Sequence, residues 1–355
     1  MNYYTKDKLF SLLKENTKII SFEKDRASIV ISEYGGRILG LFPDEENYTL
    51  LWINQDLEKT INERRRDIGG DRFWLSPERT FFYKDPENWE GWECPKTLDP
   101  ANYHILKQNE FRCILESEIS VQNQFNQETY EGKIAREFSL IEEPIKTVVS
   151  HIGVEINENC VLNSPNLSIN GWDLTNIISG GPNNPGTVLI PTSTIPKPLS
   201  YFRVIPEDKL IVKENYLGFK IDVDDIYKLG VRPEDIDFAS TAKIGYVLKL
   251  PDSEKYGFLV KLSEDVPKSQ ECCFDIARDH PNSEIGVIQS YNAESPNKPL
   301  LRYGEIELQL NMFESTENSS TLEVSHQMIA YIGTFEEIST VVEKYLGIED
   351  LVLFE

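Results

Sequence analysis

The sequence predicts an all-β protein, a large antiparallel sandwich with a short helix at each end, and three observations carry that expectation. Short runs of alternating or β-branched residues follow one another along the chain, separated by turn residues. No strand-helix-strand rhythm connects them, which argues against a parallel nucleotide-binding sheet. Helical spacing of apolar residues is read at the two ends.

Residues 1–16 place Leu9, Phe10, Leu12 and Leu13 on one side of a helix and charges on the other. This segment lacks the uninterrupted apolar stretch and small-residue cleavage site of a secretory leader, so a cytoplasmic protein is expected. Strands are expected over 28–32, 37–42, 50–53, 111–121, 133–141, 146–156, 243–250, 256–262, 285–291, 305–312 and 321–332. The Pro, Asn and Gly residues of 179–186 read as a long loop at a sheet edge. Residues 336–346 close the pattern with a helix whose Ile338, Val341, Val342 and Tyr345 share one face. The 355 residues would accommodate two domains of about 150 each, but all-β units reach about 200–250. With no repeat or linker to divide the chain, the expected organisation is an N-terminal helix over 1–16, one β domain over 17–335, and a C-terminal helix and tail over 336–355.

Charge narrows the partners. The chain carries 36 Lys and Arg against 59 Asp and Glu, a net charge of -23, which repels nucleic acid and anionic membrane surfaces. Its apolar runs are far shorter than the roughly 20 residues of a membrane-spanning helix. Cys94, Cys113, Cys160, Cys272 and Cys273 are odd in number and lack a two-residue gap, so they read as free thiols. His104, His151, His280 and His326 show no metal-binding spacing, and neither a metal nor a cofactor is expected. Asp222–Asp225 opens like a calcium loop but lacks the glycine and the closing glutamate, and is discounted.

Two long connections stand out. Residues 64–102 hold Trp74, Trp89, Trp92, Phe81, Phe82 and Tyr83, and 191–233 mix aromatic with acidic residues. Long loops on a β scaffold commonly carry function. Aromatic faces that stack on C–H patches, beside Arg and Glu that read hydroxyls, are what a sugar site needs. The partner expected from these residues is a small-molecule carbohydrate.

Three motifs in order give this reading a family. Tyr34-Gly-Gly-Arg-Ile-Leu-Gly-Leu41 with Thr49-Leu-Leu-Trp-Ile-Asn54 resembles the opening of galactose mutarotase-like proteins. Ile68-Gly-Gly-Asp-Arg-Phe-Trp-Leu-Ser-Pro-Glu78 resembles a segment of an uncharacterised branch of that superfamily, and Ile306-Glu307-Leu308-Gln309 is similar to the motif that carries the catalytic glutamate of aldose 1-epimerases. The resemblance runs from about residue 17 to residue 335 and implies a large β-supersandwich.

It also implies a chemistry. Interconverting the anomers of an aldose needs a base for the C1 hydroxyl proton and an acid for the ring oxygen, both titrating near neutrality. Carried over by motif, Glu307 is the base and Arg72 a substrate anchor, with Trp74 and Glu78 in the same segment and Gln309 on the strand face of Glu307. The family's acid is a histidine after a Leu-Thr-Asn triplet, and here Leu174-Thr-Asn176 is followed by Ile177. His151, Asp173 and Lys243 are the candidates to replace it.

Plainer readings stand beside these. Glu305, Glu307 and Gln309 also fit the wet face of an edge strand, and Arg72 fits a surface salt bridge with Asp71 or Glu78. Arg64-Arg-Arg66 is either a solvated loop or a local attraction for an acidic sugar or sugar phosphate. At the level of function, a noncatalytic sugar-recognition protein and a glycoside hydrolase or lyase on the same scaffold remain alternatives.

Overall fold

The computed structural model describes residues 3–44, 48–236, 241–270, 284–294 and 301–355. Alternation of buried and more exposed residues marks the long strands, and apolar runs without a period form most of the others. Arg37–Phe42 forms over the expected residues, Thr129–Ile141 and Ser320–Gly333 extend the expected runs, Arg112–Gln122 lies one residue along from its own, and Ser150–Leu162 starts four residues later than expected and runs six further. Two large antiparallel sheets result. One has nine strands, in the spatial order Ile19–Lys24, Ala27–Ser32, Arg37–Phe42, Asp71–Ser76, Asn170–Ile177, Arg302–Met312, Ile288–Glu294, Tyr227–Val231 and Leu199–Ser200. The other has eleven, centred on Ala242–Lys249, Tyr256–Ser263, Ser320–Gly333 and Ser150–Leu162. A continuous apolar cluster draws on both, from Ile29, Ile38 and Phe73 of the first to Leu115, Ile134 and Ile156 of the second.

Some expectations change. Residues 50–53 make only isolated bridges, Leu51 to Ile177 and Ile53 to Gly69, rather than a strand. The stretch 64–102 is not chiefly a connection, because it contains Asp71–Ser76 near the middle of the nine-stranded sheet. Likewise 191–233 contains Tyr216–Ile221 and Tyr227–Val231. Both Asp71–Ser76 and Tyr227–Val231 are buried on both faces, so they show no period of two to read. The Gly69-Gly70 turn that leads into Asp71–Ser76 admits no side chain: φ is +96° at Gly69 and +76° at Gly70, and a Cβ on Gly69 would lie 2.0 Å from the Trp52 carbonyl oxygen.

The helices at the ends form as Lys6–Leu13 and Phe335–Leu346. The second buries Ile338, Val341, Val342 and Tyr345 against Phe258, Ile329 and Tyr331, and Thr334 and Glu337 cap its start reciprocally.

Between the sheets lies an ionic network that fixes their relative position. Arg136 donates to Glu158 Oε1 at 2.7 Å, to Asp71 Oδ1 at 2.8 Å and to the Gly36 carbonyl at 2.7 Å. Lys261 reaches Asp71 Oδ2 at 3.1 Å and Thr175 Oγ1 at 2.7 Å, and pairs with Asp173. All of these side chains are buried, so each charge depends on its partners. Although burial alone would raise the Asp71 pKa, Lys261 and Arg136 reverse the effect and hold it well below the usual carboxylate range.

Candidate active site

Side chains alternate along a strand, and paired residues of an antiparallel sheet share a face. The register therefore assembles a second set of residues on the side of the nine-stranded sheet away from the ionic network. Arg72 faces Leu174, and Trp74 faces Trp172. Leu174 and Asn176 in turn pair with Glu307 and Glu305. Gln289 and Tyr291 flank the same two glutamates from the other side, and Lys228 pairs with Tyr291.

Above this face opens a cavity of about 270 Å³. Its walls are aromatic, with Trp74, Trp92, Trp172, Tyr83, Phe202, Tyr291 and Tyr303, and its charged groups are Arg66, Arg72, Lys228, Glu78 and Glu305. The volume lies just below the roughly 300 Å³ at which ligand pockets usually begin, which suits one sugar ring better than a chain of them. Trp74 crosses Trp172 edge-on at 5.5 Å, and the Arg72 guanidinium lies 4.4 Å over the Trp74 ring.

Each charged group at the floor is held. Arg72 donates to Glu305 Oε1 at 2.6 Å and to Asn176 Oδ1 at 2.8 Å. Burial works against its charge, but Glu305 and Asp99 outweigh that and raise its pKa above the ordinary arginine value. Asp99 also accepts from the Trp74 indole at 3.0 Å and from Arg37. Glu305 Oε1 accepts a second bond, from Asn176 Nδ2 at 2.9 Å, while its other oxygen makes no hydrogen bond among the described residues.

Glu307 lies one step deeper, fully buried and outside the cavity lining. Its Oε2 accepts from the Trp172 indole at 3.1 Å and sits 3.0 Å from Lys228 Nζ. Its Oε1 has no hydrogen-bond partner among the described residues. Burial raises the Glu307 pKa to about 7, with Lys228 lowering it and Glu305 raising it. Such a carboxyl is half-ionised at neutral pH, the condition for exchanging protons in either direction.

The comparisons with known proteins bear on the scaffold. A family of unknown function, DUF6786, matches residues 2–164. No curated protein sequence matches the chain. A candidate aldose 1-epimerase from Escherichia coli K12 is similar over 90% of this chain and 100% of its own at 7% identity, with a TM-score of 0.52. A galactose mutarotase-like protein from Lactobacillus casei ATCC 334 aligns over 89% of this chain and 99% of its own at 14% identity, with a TM-score of 0.45. The aldose epimerase homologue from C. elegans aligns over 90% and 99% at 9% identity, with a TM-score of 0.45. The fold is the galactose mutarotase-like β-sandwich.

Within this mutarotase-like scaffold the residues singled out by sequence separate. Arg72, Trp74 and Glu78 line one cavity, with Glu307 immediately beneath it. Glu78 accepts from the Trp92 indole at 2.7 Å. Gln309 shares the face of Glu307 but is buried beyond the cavity.

Three candidates fall elsewhere. Asp173 follows Trp172 in a strand and so points to the opposite face, where it pairs with Lys261 in the ionic network. His151 stands on the eleven-stranded sheet, its Nδ1 2.9 Å from the Val149 carbonyl oxygen and its ring packed 5.7 Å from Tyr331. Lys243 lies on the same sheet and lines a separate pocket. None of the three reaches the cavity, and among the described residues no histidine lines it. Ile177, which follows the Leu174-Thr-Asn176 triplet, is a buried apolar contact.

Trp172, Phe202, Lys228, Tyr291 and Tyr303 line the cavity without standing out in the sequence, where Glu305 reads only as part of a solvent-facing strand. Tyr303 has its pKa pushed up to about 12 by burial and by Glu305, so it stays a neutral donor. Only alternation, which puts Glu305 on the strand face of Glu307, could have pointed to it.

Elsewhere, Glu158, Asp173 and His326 bring ligand atoms within 4.8 Å of one another, a cluster the spacing of histidines in sequence could not show. Lys261 and Arg136 already occupy its carboxylates, so a cation would have to displace them. The discounted calcium segment is filled similarly, with Lys209 Nζ 2.7 Å from both Asp222 and Asp224. Cys94, Cys113 and Cys160 are free and buried, and burial raises the Cys113 thiol to about 12. Cys272, Cys273 and His280 lie outside the described residues.

Proposed function

We propose that the protein binds a single aldose ring in this cavity and interconverts its anomers by acid/base catalysis. The observation that carries the reading is Glu307, a buried carboxyl with a pKa of about 7, joined at 3.0 Å to Lys228 of an aromatic-walled, sugar-sized cavity. The aromatic rings stack on the apolar ring face, and Arg72, fixed by Glu305 and Asn176, directs its remaining edge at hydroxyls.

Proton movement follows from which groups line the cavity. The free oxygen of Glu305 takes the proton of the C1 hydroxyl, and Lys228 delivers one to the ring oxygen as the C1–O5 bond breaks. Glu307 then returns a proton to Lys228 through their 3.0 Å contact. Rotation about C1–C2 and the reverse transfers close the other anomer, leaving the protein unchanged. Lys228 thus takes the role of the family's histidine, and Glu307 acts behind it as the proton store.

Saturation-transfer NMR on a panel of aldoses tests this directly. Wild-type protein accelerates anomer exchange, and Glu305→Gln and Lys228→Met abolish it while the sugar still binds. A noncatalytic sugar-recognition protein is favoured by one observation, that Glu307 is sealed beneath Trp172 and Lys228. Binding by wild type without acceleration of exchange would establish that reading and overturn the catalytic one.

A further inference from the structure

Three cations reach the cavity, and two of them are already matched. Arg72 is bound to Glu305 and Asn176, and Lys228 to Glu307. Arg66 is different. Its backbone carbonyl anchors Arg37 at 2.9 Å, which fixes the loop, but its guanidinium forms no ion pair among the described residues. Instead it lies 4.6 Å over the Trp92 ring and 5.7 Å from that of Trp74, at the wall of the cavity. A stacked guanidinium is held in orientation by the rings and keeps its N–H edge available for a planar or tetrahedral oxyanion.

Resting on the monosaccharide reading above, we infer that the preferred ligand is an anionic sugar, and that Arg66 binds its carboxylate or phosphate substituent at the cavity wall. The net charge of -23 does not oppose this, because contact distance decides a charge pair and the ordinary screening length is about 8 Å. Glu78 gives the subsite its limit. Its Oε1 accepts from the Trp92 indole at 2.7 Å, so the anion approaches over the Arg66 side of the ring. Arg72 and Lys228 remain for the hydroxyls and the ring oxygen. Arg66 thereby selects the substituent, and the groups on the sheet handle the anomeric centre.

The test is a titration of the full chain, followed by calorimetry and saturation-transfer NMR at low and at physiological salt. Glucose and galactose form the neutral arm, glucuronate and galacturonate the carboxylate arm, and the two hexose 6-phosphates the phosphate arm. A charged hydrogen bond predicts at least a tenfold preference for one anionic arm over its neutral parent. That ratio falls toward one in Arg66→Gln and is partly kept in Arg66→Lys, and circular dichroism verifies that both variants are folded. The stronger of the two anionic arms tells a carboxylate subsite from a phosphate one. Neutral sugars bound as tightly as anionic ones, or a ratio unchanged in Arg66→Gln, would overturn the inference and leave the monosaccharide reading standing. No sugar bound in any arm would overturn both.

Discussion

Glu307→Gln separates a buried proton store from an ordinary surface carboxylate through the pH dependence of folding. In the unfolded chain the carboxyl titrates near 4.5, and in the folded protein near 7, because burial penalises the charge more than Lys228 at 3.0 Å favours it. Below pH 4.5 both states hold the proton and the group is neutral in its effect. Between the two values the folded state binds more protons than the unfolded, so its stability falls as pH rises. At about 1.4 kcal/mol per pH unit, the group removes about 3 kcal/mol of stability by the time the pH has passed 7. Glutamine has no such titration. Urea denaturation at pH 4, 5.5, 7 and 8.5 is the assay, read as the difference between variant and wild type so that other groups cancel. The variant gains about 3 kcal/mol relative to wild type from pH 4 to pH 8.5, and the Glu307 carboxyl carbon titrates near 7 by NMR. A difference that is flat with pH, or a midpoint near 4.5, would refute the claim that Glu307 exchanges protons at neutrality.

Three more outcomes follow from particular contacts. Lys228→Met removes the cation that lowers the Glu307 pKa, so the NMR midpoint climbs above its wild-type value near 7; an unchanged midpoint would show that the pair is not electrostatically joined. Arg136→Met leaves the buried carboxylates of Glu158 and Asp71 without their shared partner and destabilises the fold by about 3–5 kcal/mol in urea denaturation. Thr334→Ala deletes the hydroxyl that caps Glu337 N–H at 3.3 Å and costs about 1 kcal/mol, seen in the same assay.

Legibility in the sequence follows apolar patterning and the turn residues that bound it. The closing helix is legible to within a residue because its apolar residues repeat at helical spacing, and Arg37–Phe42, buried at every position, is legible instead as a short apolar run behind the Gly35-Gly36 turn. Asp71–Ser76 and Tyr227–Val231 read as parts of connections in the sequence, although they carry Arg72, Trp74 and Lys228. They lie where the sheet is covered on both sides, and the polar residues there look like loop residues until their buried partners are known. Lys228 in particular has the chemistry of a solvated charge in sequence, and only the pairing of its strand with Ile288–Glu294 brings it beside Glu307. Arg72, Trp74, Glu78 and Glu307 came together because a motif named them, not because periodicity did.

The misplacement of Asp173 shows what the motif could not supply. Trp172 and Asp173 are neighbours in sequence and lie on opposite sides of one sheet. The same parity divides Arg72 from Asp71 and Asn176 from Thr175. Residues of one parity form the cavity floor, and those of the other bind Lys261 and Arg136 behind it. A slip of a single residue in Asn170–Ile177 would exchange the two sets, placing Asp173 and Thr175 in the cavity and burying Trp172 among charges. The ionic network forbids that slip, since Lys261 would lose Asp173 and Thr175 as partners while remaining buried. Its charges therefore do for the register of the central strands what apolar patterning does at the outer ones. Arg136 holds Asp71, the strand neighbour of Arg72, so Arg136→Met should disturb the geometry of the Arg72–Glu305 pair as well as lower the stability.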